Sequence, residues 1–136
     1  MPAAVDVVIP VYNEVATVAE LHRRLREAVP QASVIYVDNG STDGTLDVVQ
    51  GLPGARLVRH EQNLGYGRSL LDGIAVSNGD VIVMIDADLE YHPEDVPAVV
   101  AALADSPCVY GSRFLTGGAN GDVMPLVRRF GNGLVT

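Results

Sequence analysis

Two periodicities alternate along the chain. "VDVVIPV" (Val5 to Val11) is a continuous apolar run of strand length, and Val15, Val18, Leu21, Leu25 and Val29 then recur at spacings of three and four, the stripe of an amphipathic helix that Pro30 closes. "SVIYVD" (Ser33 to Asp38) predicts a second strand, and the turn "NGSTDG" leads into a short helix carrying Leu46 and Val49, with Ser41 or Asp43 as its cap. "ARLVRH" (Ala55 to His60) predicts a third strand. After "EQNLGYG", Leu70, Leu71, Ile74 and Ala75 predict a helix with an apolar stripe, ended by "NGD" at Asn78 to Asp80. "VIVMID" is the fourth and most apolar strand, and Pro93 opens a helix with Val96, Val99, Val100 and Leu103 on one face. "CVYGS" predicts a fifth strand, with Cys108 as a small buried residue in it. From Arg113 to Thr136 the pattern gives a Gly-rich loop and a short helix from about Pro125.

Strands alternating with helices imply an α/β domain with a mostly parallel central sheet flanked by helices. Ligands of such sheets bind beyond the carboxyl ends of the strands. The polar clusters fall there: "YNE" after the first strand, "DNGSTDG" after the second, "DADLE" after the fourth and "GSR" after the fifth. At 136 residues, a single domain over 1–136 is expected.

Composition narrows the chemistry. The chain is 48% hydrophobic and 19% charged, which argues against disorder, and no apolar run approaches the roughly 18 residues of a membrane span. The opening residues have no basic n-region and enter a strand pattern at once, so a cytoplasmic location is expected. One cysteine excludes an internal disulfide framework and a cysteine metal cage. Every cation is an arginine; without lysine there is no Walker A phosphate loop and no lysine Schiff base. A net charge of −8 makes nucleic acid an unsuitable partner, yet a divalent cation can turn an acidic site into a phosphate receptor. His22, His60 and His92 lack metal-ligand spacing and are expected at the surface or at caps.

The densest chemistry is "VMIDADLEYHPED". Asp86 and Asp88 project to one side if strand geometry persists, and their hard oxygens suit Mg²⁺ or Mn²⁺, which bridge to substrate phosphates; Glu90 is a candidate third ligand. A solvated acidic loop before a helix N-terminus is the other reading of a lone D-x-D. "GYGRS" is no dinucleotide fingerprint, because Leu70 stands where a third glycine would be needed.

"VVIPVYNE", "VDNGSTDGT", "NLGYGRSLLDGI", "GDVIVMIDADLEYHPED" and "YGSRF" together resemble the family 2 glycosyltransferases of the GT-A fold, in order and spacing, across nearly the whole chain. "DADLEYHPED" and "GSRFLTGG" are most similar to the polyprenyl-phosphate sugar synthases, the dolichol-phosphate mannose synthase group. The resemblance implies a Rossmann-like nucleotide-binding domain and a D-x-D that coordinates Mg²⁺ or Mn²⁺ on the diphosphate of a GDP- or UDP-sugar. It implies that Pro10, Tyr12 and Glu14 border the nucleoside and that Asp38 reads the base edge, with Asn39 in place of the family's usual following acid. Asp38 is equally suited to bonding its own turn. Gly67 would permit close approach of a phosphate or sugar, and Arg68 would offset diphosphate charge or face solvent. Arg113 is the stronger phosphate candidate, since a guanidinium binds phosphate through two parallel hydrogen bonds.

The resemblance further implies an inverting, in-line displacement in which the metal held by Asp88 and Asp86 stabilises the leaving diphosphate, assisted by Arg113. A polyprenyl phosphate acceptor fits, because an anionic phosphate needs no general base and the only acid after Asp105 is Asp122. Family members continue past the equivalent of Thr136, so the chain is expected to be short at its C-terminus. In "MPLVRRFGNGLVT", Met124, Leu126, Val127, Phe130 and Leu134 could present an apolar face and Arg128 and Arg129 could meet lipid phosphates at the inner face of the cytoplasmic membrane. The same helix could instead pack on the sheet or on a second copy of the chain in a homo-oligomer. The alternatives to a transferase are a nucleotide-sugar-binding unit without turnover and a nucleotidyltransferase of the same fold, whose basic Gly-rich first loop is here replaced by "PVYNE".

Overall fold

The computed structural model describes residues 3–112. Four parallel strands form one sheet in the order β3-β2-β1-β4: β1 (Val5–Val11), β2 (Ser33–Asn39), β3 (Ala55–His60) and β4 (Val81–Met84). β1 lies between β2 and β4, with Val8 opposite both Ile35 and Met84. Helices α1 (Val18–Ala28), α2 (Thr45–Gly51), α3 (Tyr66–Ala75) and α4 (Val96–Ala101) make the connections, α4 being flanked by 3-10 turns at Pro93–Asp95 and Ala102–Asp105. No helix among the described residues is long and apolar enough to cross a membrane.

The two central strands are apolar on both faces because helices cover both, as in parallel sheets generally. On one face Val7, Ile9, Val11, Val34 and Tyr36 merge with Val18, Leu21 and Leu25 of α1 and Val49 of α2 into a single buried cluster. Burying each such Leu or Val side chain stabilises the fold by about 1.5–3 kcal/mol. Val15, read as the first member of the α1 stripe, is 41% exposed and precedes the helix. The α4 face holds as expected: Val96 is buried, and Val99, Val100 and Leu103 are half-buried.

The opposite face is built differently. Val8, Ile35 and Val37 are fully buried, and α3 closes on Val8 and Val37 at Gly73, with Ser69 buried and Leu70 half-buried on the same helix. A Cβ on Gly73 would sit 2.4 Å from Val8 Cγ1 and 3.0 Å from Val37 Cγ2, so only glycine lets the helix axis come this close. Most of the expected apolar stripe is therefore turned outward: Leu70 is half-buried, but Leu71 is 64% exposed, and Ile74 and Ala75 are exposed as well. On β4, Ile82 and Met84 are exposed too.

Three further expectations are corrected. "CVYGS" forms no strand, and Cys108 and Tyr110 are exposed; a strand buries alternate residues only when a neighbouring strand pairs with it, and no described strand does. His22 is buried, not superficial: Pro53 O accepts from Nε2 at 3.0 Å, and Tyr36 Oη donates to Nδ1 at 3.1 Å. That arrangement uses the neutral ring, and burial pushes the imidazole below its ordinary value. His60 is buried as well, between Asn39 Oδ1 at 3.0 Å and Asp72 Oδ2 at 2.9 Å. The turn before β4 is held by Asp6, itself buried, whose Oδ2 accepts from the backbone N–H groups of Asn78 and Gly79.

Candidate active site at the carboxyl edge of the sheet

β2 and β3 follow β1 on one side and β4 lies on the other, so the strand order reverses between β1 and β4. Loops leaving the two strands at such a point diverge and open a crevice. The crevice here has a volume of about 350 Å³, within the range of small-molecule sites. Pro10, Tyr12 and Glu14 border it from β1, Asn39 from β2, Asp86 and Asp88 from the end of β4, and Asn63, Tyr66 and Ser69 from the loop after β3 and the start of α3.

The loop after β1 owes its shape to the loop after β2. Ser41 Oγ accepts from Asn13 N–H at 3.0 Å, Thr45 Oγ1 accepts from Glu14 N–H at 2.8 Å, and Asp43 Oδ2 accepts from Val15 N–H at 3.2 Å. Asn13 Oδ1 accepts in return from Thr42 N–H at 2.8 Å. The polar residues of "NGSTDGT" thus hold the Tyr12–Glu14 loop, and Asp43 also serves the start of α2, its Oδ1 accepting from Thr45 N–H at 3.0 Å, although the N-cap position itself is Gly44. Gly40 belongs to the same assembly: its φ is +78°, and a Cβ there would lie 2.7 Å from the Gln62 carbonyl carbon, so the turn after β2 and the loop after β3 touch backbone to backbone.

Asp38, at the end of β2, is 1% exposed and is not part of the lining. Its Oδ2 accepts from Ser41 N–H at 3.3 Å, the turn contact weighed from the sequence, while its Oδ1 has no partner among the described residues. A buried carboxylate oxygen without a donor is costly, which marks Asp38 as a group with an acceptor position to fill. Asn39 lines the crevice, but its amide is engaged in the walls: Oδ1 accepts from Leu64 N–H at 2.8 Å and Nδ2 donates to Asn63 Oδ1 at 2.9 Å.

β4 pairs with β1 only as far as Met84, so the strand geometry that would align Asp86 with Asp88 does not continue. Both nevertheless reach the same crevice, Asp86 half-buried and Asp88 exposed. Asp88 Oδ1 accepts from Glu90 N–H at 3.0 Å, and Tyr66 Oη donates to Asp86 Oδ1 at 2.8 Å. Burial first, and then the bond to Asp86, pushes the Tyr66 phenol up to about 12, so it stays a donor at working pH. Glu90 is not among the lining residues, and no group of three His, Cys, Asp or Glu side chains among the described residues could by itself hold a metal ion. Two carboxylates and a crevice wide enough for phosphates nonetheless fit Mg²⁺ or Mn²⁺, which take one or two protein carboxylates and complete their shell with water and substrate oxygens.

Gly67 and Arg68 stand in the first turn of α3, outside the lining. A Cβ on Gly67 would meet nothing within 4 Å, and Arg68 Nε donates to Asp72 Oδ2 at 2.8 Å. Arg113 lies outside the described residues, as does the helix expected from Pro125. Sequence reasoning missed Asn63, Tyr66 and Ser69. Their signal was position: the loop after the third strand opens on the same sheet edge as the clusters already marked.

A Rossmann-like α/β domain with paired carboxylates and an aromatic residue around its switch-point crevice, and a buried acid behind the lining, is thereby defined. The model of Glycosyl transferase family 2 matches residues 6–133, and the chain belongs to that family. It is 36% identical over 117 residues to the undecaprenyl-phosphate 4-deoxy-4-formamido-L-arabinose transferase of Aeromonas hydrophila, covering 79% of this chain and 36% of that protein. It is 32% identical over 120 residues to the dolichol-phosphate mannosyltransferase of Pyrococcus furiosus, covering 84% and 34%. Among solved structures, it matches a mannosyltransferase from Pyrobaculum calidifontis in complex with GDP-Man and Mn²⁺ at a TM-score of 0.70 and 28% identity, covering 78% of this chain and 34% of that one. It also matches glucosyl-3-phosphoglycerate synthase from Mycobacterium tuberculosis, in complex with Mn²⁺, UDP and glucosyl-3-phosphoglycerate, at a TM-score of 0.65 and 33% identity, covering 75% and 40%. The fold is GT-A, as expected. The chain spans about a third of the length of the curated relatives it matches.

Proposed function

We propose that the domain binds a GDP- or UDP-sugar with Mg²⁺ or Mn²⁺ and belongs to an inverting glycosyltransferase that delivers the sugar to a polyprenyl phosphate. The observation that supports this most directly is the meeting of Asp86 and Asp88 with Tyr12 and Glu14 in one crevice, beside relatives named for polyprenyl-phosphate acceptors and neighbours holding Mn²⁺ with nucleotide sugars.

Asp88 and Asp86 would hold the cation, which when bound supplies Lewis-acid stabilisation of the leaving diphosphate. Tyr12, 45% exposed at the rim, offers an aromatic face to the base, and Glu14 offers a carboxylate to the ribose hydroxyls. Asp38, which the resemblance gives the base edge, stands behind the crevice lining; its Oδ1, without a partner among the described residues, would be the acceptor for a base N–H. Asn39 shapes this wall through Asn63 and Leu64 rather than presenting a free amide to the ligand. Arg113 would add positive charge at the diphosphate. An acceptor phosphate attacks the anomeric carbon in line with departure of the diphosphate, and being already anionic it requires no general base. Such an acceptor places the enzyme peripherally at the inner face of the cytoplasmic membrane.

Calorimetric titration of UDP, GDP and dTDP, with Mn²⁺ and again with EDTA, tests the donor site. One nucleotide should bind much more tightly with metal than in EDTA, and Asp88→Asn should weaken the metal-dependent binding at least tenfold, the scale of losing a charged ligand contact. Absence of metal-dependent binding by every nucleotide would overturn the reading. Release of nucleoside diphosphate upon adding a sugar donor and polyprenyl phosphate separates a complete transferase from a donor-binding unit.

A further inference from the structure

We propose that Tyr66 is a positioning residue that fixes the Asp86 carboxylate for the divalent cation, an inference that rests on the donor-site reading above. Ile85 N–H to Val8 O, at 3.3 Å, is the last backbone bond joining the end of β4 to β1 among the described residues, so the sheet ladder does not orient the side chain that follows. The orienting contact comes from another element: Tyr66 Oη, at the start of α3, donates to Asp86 Oδ1 at 2.8 Å.

The donor is itself well anchored. The loop leading to it is bound to the end of β2 by Asn39, through Leu64 N–H and Asn63, and Asn63 Oδ1 also accepts from Gly65 N–H at 2.9 Å. Asp72, on the same helix, accepts from buried His60 on β3. Tyr66 therefore starts from a backbone held on two sides.

The type of donor matters. A phenol directs one carboxylate oxygen while leaving the net charge of the acid intact, so the other oxygen keeps its full attraction for a cation. An arginine at the same place would compete with the metal for that charge. Groups that orient a ligating carboxylate typically matter by 10–100-fold in metal affinity. Ser69, buried on the same helix, instead directs its hydroxyl to Gly65 O and takes no part in this contact.

Tyr66→Phe keeps the ring and removes only the donor. The readouts are Mn²⁺ binding alone, by loss of the free-ion paramagnetic resonance signal, and nucleotide binding by calorimetry with Mn²⁺ and with EDTA. Affinity for Mn²⁺, and for nucleotide in its presence, should fall about tenfold. Nucleotide affinity in EDTA and the melting temperature should stay unchanged. Adding Tyr66→Phe to Asp86→Asn should then change nothing further, since the hydroxyl acts through that carboxylate. Equal loss with and without metal would mean that Tyr66 contacts the nucleotide directly, and would overturn the proposal. Unchanged Mn²⁺ dependence in Tyr66→Phe would overturn it too, while leaving the donor site standing. No metal-dependent binding by the wild-type protein would remove the donor site and this inference together.

Discussion

The two faces of the sheet solve the same problem by opposite means. The face under α1 and α2 is filled by large side chains, Leu21, Leu25, Ile9 and Tyr36, all with 0% exposure. The face under α3 is closed by the absence of side chain: Gly73 brings the helix down on Val8 and Val37, while Leu71, Ile74, Ile82 and Met84 are left exposed. The first arrangement obtains its stability from buried area. The second fixes the height of one helix above the sheet, and with it the reach of Tyr66 to the end of β4.

Substitutions can break this contrast in order of size. Leu25→Ala, in the filled face, should cost about 2–5 kcal/mol in urea unfolding, the range for truncating a buried leucine. Gly73→Ala should cost about 1–3 kcal/mol by overpacking against Val8 and, by lifting α3, should also weaken Mn²⁺-dependent nucleotide binding. If stability fell while binding held, the link between helix height and site would be refuted.

A smaller effect should appear with acid. Burial lowers the His22 imidazole from its ordinary 6.5. The unfolded chain then takes up this proton first, so the stability contributed by the neutral ring is complete above about pH 6.5 and is lost as pH falls toward the folded-state value. His22→Gln should flatten that part of the profile of melting temperature against pH. An equally steep profile in the variant would assign the slope to other groups. Smallest of all, Met84→Gln on the exposed side should change stability by no more than about 0.5 kcal/mol. A cost above about 2 kcal/mol would show that this surface is covered in solution.

The filled face was legible in the sequence because large apolar residues at strand and helix spacing declare themselves. Val5 to Val11, Ser33 to Asp38 and Ala55 to His60 all appear as strands, with the second extended by one residue. The other face was misread for the complementary reason. Periodicity scores bulk, so beside the half-buried Leu70 it selected the exposed Leu71, Ile74 and Ala75, whereas the buried residues of α3 are a serine and a glycine. His22 and His60 escaped because a buried histidine depends on partners distant in sequence, Tyr36 and Pro53 for one, Asn39 and Asp72 for the other. That Asp86, Asp88, Tyr12, Glu14 and Asn39 meet at one crevice was legible because topology sends the ends of parallel strands to one edge. Tyr66 was not, since its role depends on a side-chain contact across 20 residues.

The bonds between the loops after β1 and β2 join residues 28 to 31 positions apart. They can close only when Val8 lies opposite Ile35 and Val11 opposite Asp38. Sliding β1 by one residue would displace one loop from the other by about 3.3 Å and exchange the two faces of the strand. Misregistered pairing would thus forfeit the core and the site loops at one stroke, so the polar turn that shapes the crevice also acts as a checkpoint on how the first two strands align during folding.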